Sequence, residues 1–121
     1  MSHDLRIAET ILQQLGGRRF VVMTGSKEFR TGDDYTLIMN LARNSSSANR
    51  LSIRLEPTDT YTMRFYRETG GKWSNKKLAY IPRKEKTIKI FEDVYCDQLE
   101  IIFRDFTGLE TRMPRVIGIN A

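Results

Sequence analysis

A chain of 121 residues with 40% hydrophobic and 29% charged side chains fits one domain, residues 1–121, that can bury a core without a disulfide or metal staple. Its longest apolar runs, such as Phe20, Val21, Val22 and Met23, are too short to cross a bilayer, and residues 1–6 show neither the basic nor the apolar stretch of a secretory signal, so a cytoplasmic setting without membrane partners is expected. The net charge of +5 is concentrated: residues 64–89 carry nine basic and two acidic side chains, a local +7, which attracts polyanions and steers their approach.

The first element predicted is a helix. Leu5, Ala8, Ile11, Leu12 and Leu15 recur at helical spacing, Ser2 or Asp4 can cap the start, and Gly16 and Gly17 stop it. The β-branched and aromatic run over Arg18–Thr24 reads as a short strand. Period-two alternation then takes over. Tyr35, Leu37, Met39 and Leu41 share one face, as do Leu51, Ile53 and Leu55, and Tyr61, Met63 and Phe65. Further strands are expected over residues 78–81 and 87–91, with turns at residues 31–34, 44–47, 56–59 and 70–71. Near the C-terminus Tyr95, Leu99, Ile102, Phe103 and Phe106 fall on one helical face, with Asp93 as N-cap and Gly108 as stop. Residues 114–121 read as a loosely held tail or an edge strand. The short connections predict an α+β fold: an antiparallel meander of five or six strands with the N-terminal and C-terminal helices packed on one face.

Catalytic and metal chemistry have little to draw on. One cysteine and one histidine cannot supply a four-ligand zinc site, and no nucleophile elbow, phosphate loop or dinucleotide fingerprint is present. Cys96 reads as a small buried or half-buried filler, and His3 lies too near the terminus to form a dyad with it. Asp33, Asp34, Asp59, Asp93 and Asp97 would bind a divalent cation only if they converged; turn and cap roles account for them otherwise. No enzyme, cofactor or metal is expected.

The residues that carry a functional expectation lie in the basic stretch. With Tyr61, Met63 and Phe65 inward, Thr62, Arg64 and Tyr66 face outward, joined by Ser52 and Arg54 from the neighbouring strand. Arg67, Lys72, Trp73, Lys76 and Lys77 follow, the last four in a loop after Gly70 and Gly71. Cations beside exposed rings suit nucleic acid, because charge neutralises phosphates while rings stack on bases. The same composition also describes a solvated sheet face with lysines guarding an edge, and Trp73 could fold back onto the core.

Several blocks are similar to a known set of proteins: residues 11–17 (Ile-Leu-Gln-Gln-Leu-Gly-Gly), residues 20–25 ending Met23, Thr24, Gly25, the Asp59, Thr60, Tyr61 turn, residues 93–99, and residues 107–111 (Thr-Gly-Leu-Glu-Thr). Their arrangement resembles a family of small, uncharacterised proteins of bacteriophages, prophages and mobile elements. The resemblance spans most of residues 11–113 and implies a bacterial cytoplasm and an accessory role, but no catalytic residue. The lysine-rich region around Trp73 departs from that pattern. The expectation is a non-enzymatic accessory protein whose partner is nucleic acid or a nucleoprotein, met by Arg54, Arg64, Tyr66, Arg67, Lys72, Trp73, Lys76 and Lys77. The alternatives are a protein inhibitor of a bacterial defence complex, acting by protein–protein binding, and a metal-dependent nuclease using Asp33, Asp34 or Asp59.

Overall fold

The N-cap of the first helix is Leu5, which makes no side-chain cap bond, and not the expected Asp4. In the computed structural model, which describes residues 4–111, the Asp4 carboxylate accepts hydrogen bonds from the Arg6 backbone N–H (3.0 Å) and guanidinium (2.7 Å). Those bonds lower its pKa to about 2. Helix α1 (Arg6–Leu15) follows, burying Ala8, Ile11 and Leu15 at the predicted spacing. Gly17, at φ 60°, donates to the Leu12 carbonyl (2.9 Å) and closes it.

The next segment corrects the sequence reading: Arg18–Thr24 is helix α2, not a strand. A strand would place Phe20, Val22 and Thr24 on one face; the helix buries Phe20 and Thr24 and leaves Val22 71% exposed. The Thr24 hydroxyl donates to the Phe20 carbonyl (2.7 Å), one helical turn back. Burying the Phe20 ring is worth about 1.5–3 kcal/mol, more than the ~1 kcal/mol span of β-propensity, so packing decides the conformation. The ring meets Phe103 edge-on, with centroids 4.8 Å apart.

Seven strands follow: β1 (Lys27–Arg30), β2 (Thr36–Asn40), β3 (Arg50–Leu55), β4 (Tyr61–Thr69), β5 (Lys72–Ser74), β6 (Ala79–Ile81) and β7 (Lys84–Val94). The main sheet has the order β1-β2-β3-β4-β7, antiparallel throughout, while β5 and β6 form a separate two-stranded sheet. The meander is therefore borne out with five strands. Two strands were not foreseen: β1, whose four residues carry three charges, and β5. A 3₁₀ turn (Cys96–Gln98) leads into helix α3 (Leu99–Thr107), which Gly108 ends.

Asp93 is not the helix cap. It sits inside β7 at φ 55°, and Gln98 holds the helix entry instead, its side chain accepting from the Tyr95 N–H (3.0 Å). Tyr95 itself is 60% exposed, outside the apolar face expected of it.

One face of the main sheet carries α1, α2 and α3. Ile11, Leu15, Phe20, Leu99 and Phe103 pack with Met39, Leu51, Ile53, Met63 and Phe65, all fully buried. Tyr35, expected with them, is half exposed because β2 begins one residue later. The tail predicted at residues 114–121 lies outside the described residues.

Candidate functional site

β4 and β7 outrun the rest of the sheet. β3 pairs with β4 only as far as Arg50 opposite Tyr66, whereas β4 and β7 stay paired to Thr69 opposite Lys84. The Asn49 side chain marks the limit, donating to the Glu68 carbonyl (2.9 Å) and accepting from its N–H (2.8 Å). Beyond it the ribbon continues into the β5–β6 hairpin. Gly70 makes that junction, at φ 77° and so close to the Pro82 carbonyl oxygen that a Cβ would lie 2.1 Å from it. We call residues 67–86 the arm.

Register separates the arm's charges by face. Arg64, Tyr66 and Glu68 share the outer face with Thr87 and Glu85; Arg67 and Thr69 share the helix-side face with Lys86 and Lys84. Both acidic residues of the basic stretch fall on the outer face and neutralise the arginines there. Glu85 pairs with Arg64 (3.2 Å) and Arg83 (2.6 Å), and Glu68 pairs with Arg83 (2.6 Å) and Arg50 (3.2 Å). The Arg83 hydrogen bond holds the Glu85 carboxyl below its ordinary 4.5; partial burial opposes this and Arg64 adds to it. Among the described residues, Lys72, Lys76, Lys77, Lys84, Lys86 and Lys89 form no ion pair.

This overturns part of the predicted surface. Tyr66 does lie on the outer face, but it is 5% exposed, its ring covered by the Arg64 guanidinium at 4.2 Å and burial pushing its pKa up. It offers no face for stacking. Arg64 is engaged with Glu85 and donates to the Thr87 hydroxyl (2.9 Å). Arg54 sits far from the arm, opposite Thr62 on β4, with Asp33 (3.0 Å) and Glu56 (3.5 Å) as ion-pair partners. The seven steps from Thr62 to Thr69 correspond to about 23 Å of strand.

The tip gathers what remains. Lys72 and Trp73 lie on β5, so the region read as a loop is a hairpin, with Lys76 and Lys77 in its turn. Trp73 stands directly opposite Tyr80, so both rings occupy one face, 58% and 60% exposed. Trp73 does not fold back onto the core; its indole N–H donates to the Asn75 side chain (2.9 Å). Leu78 crowns the turn at 76% exposure and φ 50°. The sequence reading missed Tyr80. The period-two spacing on each side of the turn was the available signal, but a turn of Asn75, Lys76, Lys77 and Leu78 has no glycine to announce a hairpin.

The carboxylates do not assemble. Among the described residues no three His, Cys, Asp or Glu side chains come together where an ion could be held. Asp33 serves its own turn, accepting from the Tyr35 N–H (2.8 Å) and the Arg54 guanidinium, and Asp59 turns the chain at φ 65°. Cys96 is exposed, not a buried filler, because the 3₁₀ turn carries it clear of the apolar face that Leu99 begins. No described helix is long and apolar enough to cross a membrane. Comparison of the chain with protein-family models, with curated proteins and with solved structures finds no match.

Proposed function

We propose that the protein binds single-stranded nucleic acid without acting on it chemically, and that the tip of the arm is the contact surface. The observation that carries this reading is the Trp73–Tyr80 pair, two half-exposed rings on one face of a projecting hairpin, with Lys72, Lys76 and Lys77 beside them and no anion engaging those lysines among the described residues. Rings of this kind stack on bases of any identity at about 1–3 kcal/mol per base, while lysines neutralise the flanking phosphates. Single strands are favoured over duplex because stacked, paired bases offer no free faces. The resemblance of the sequence blocks to phage and mobile-element proteins supports an accessory role in a bacterial cytoplasm.

Trp73 is the chain's one tryptophan, so its emission reports on the tip directly. Titration with single-stranded DNA, single-stranded RNA and duplex DNA is expected to quench that emission for the single strands, with affinity falling linearly in log salt. Trp73→Ala should weaken binding by about 1–3 kcal/mol and leave the circular dichroism spectrum unchanged. Equal affinity in that variant would refute the stacking role.

A second reading rests on Leu78. An exposed leucine beside tryptophan and tyrosine is also the composition of a protein-binding hot spot, as an inhibitor of a bacterial complex would need. Absence of nucleic-acid binding at low salt, together with a stoichiometric protein partner lost on Leu78→Ser, would favour it.

A further inference from the structure

A second arginine pair lies where the arm leaves the sheet. The loop between β2 and β3 bends over a depression of about 730 Å³, with Arg43, Asn44, Ser47, Asn49 and Arg67 among its lining residues and no acidic side chain. The loop is internally braced. The Asn44 amide donates to the carbonyls of Ala42 (2.8 Å) and Ala48 (2.9 Å), and its oxygen accepts from the Ser46 N–H (2.9 Å) and hydroxyl. Ser45 ties the loop to the end of α3, its N–H (3.2 Å) and hydroxyl (2.9 Å) both donating to the Thr107 carbonyl. Arg67 closes the rim by donating one guanidinium N–H to the Ser47 carbonyl (2.9 Å).

That single bond leaves most of the five guanidinium donors of Arg67 available. Among the described residues neither Arg43 nor Arg67 has an ion-pair partner. Lys86, the cross-strand neighbour of Arg67, adds a third positive charge to that side of the arm. Two exposed guanidinia on a concave, acid-free surface match the charge of a phosphate, and the braced loop backbone limits the ordering entropy lost on binding to that of the arginine side chains.

We propose that this depression seats a backbone phosphate of the strand whose bases stack at the arm tip, with Arg43 and Arg67 as its ligands. The proposal rests on the nucleic-acid reading of the tip and extends its footprint toward the sheet. Arg67 ends the paired part of the arm nearest the sheet and Lys72 begins the tip hairpin beyond Gly70 and Gly71. A strand long enough to pass that junction, within the ~4–16 nucleotides that single-strand-binding domains cover, meets both.

A thymidine dinucleotide, too short to bridge the two contacts, and an oligodeoxythymidylate of ~16 nucleotides separate them. Arg43→Gln is expected to weaken the longer probe about tenfold, the worth of one charge-assisted hydrogen bond. It should also flatten the salt dependence by about 0.7, the share of one phosphate. Its affinity for the shorter probe should match the wild type, whereas Trp73→Ala weakens both. Arg67→Gln repeats the test from the other side of the depression, with circular dichroism reporting that each variant is folded. If both arginine variants bind the longer probe with wild-type affinity and salt slope, the phosphate site is refuted and the tip reading stands. If the wild type binds neither probe at low salt, the tip reading fails and the site falls with it.

Discussion

Gly70 and Glu85 show how single residues hold the arm in place. A Cβ at Gly70 would stand 2.1 Å from the Pro82 carbonyl oxygen, while at Gly71 its nearest contact is the Arg83 Cβ at 3.5 Å, and both residues have positive φ. Gly71→Ala should therefore cost only the left-handed penalty of about 1–2 kcal/mol. Gly70→Ala should displace the hairpin, seen as lost hydrogen-exchange protection at the Gly71 N–H, which now bonds to the Ile81 carbonyl at 2.7 Å. Glu85 acts through charge. Its folded pKa lies below 4.5, so its ion pairs contribute stability above that pH and lose it as pH falls through the folded value. With the side chain 28% exposed, the Glu85→Gln deficit should be no more than about 1 kcal/mol at pH 7. Urea titrations at descending pH should show that deficit closing as the wild type protonates. Oligonucleotide affinity should not fall in this variant if the proposed contact surface is the tip; a drop would return Arg64 to the site.

At the scale of elements, α2 is where local preference and packing disagree. Helical geometry leaves Val22 in solvent and buries Phe20 and Thr24, so Val22→Ser should change stability by no more than about 0.5 kcal/mol. Phe20→Ala should cost about 3–5 kcal/mol by vacating the contact with Phe103. Chemical denaturation of both variants checks the pair, and a large loss at Val22 would revive the strand. The arm shows the opposite case. β5 and β6 have three residues each and no buried face, and an isolated hairpin of that size is marginal. Its geometry depends on the ribbon below it and on Gly70. Such an element can adjust to a ligand without disturbing the core.

The whole molecule divides into a helix-backed sheet that supplies stability and an arm that carries free charge and exposed rings. Because Thr69 pairs with Lys84, replacing residues 70–83 by Asn-Gly should join them through a two-residue hairpin turn. The shortened protein is expected to keep its far-ultraviolet spectrum and melt within about 4 °C of the wild type. Its affinity for single strands should fall about a hundredfold, the worth of two stacked bases. Retained affinity would move the contact surface off the tip, and failure to fold would show that the arm is part of the stabilising structure.

The strongest periodic signals were legible without coordinates. Ile11 and Leu15, the Leu37–Met39, Leu51–Ile53 and Met63–Phe65 alternations, and Leu99 with Phe103 identified the core and the α+β meander, because burial of one face imposes a period that local composition preserves. The concentration of charge over residues 64–89 was equally plain. Tertiary structure decided the rest. Val21 and Val22 are helical because Phe20 needed Phe103, a partner 83 positions away. Arg64 and Tyr66 left the candidate surface because register brought Glu85 beside Arg64 and laid its guanidinium over the ring. Tyr80 entered it because a turn without glycine placed it opposite Trp73. A sequence shows how many charges and rings a segment carries, but which remain available depends on cross-strand neighbours, and those are set by pairing.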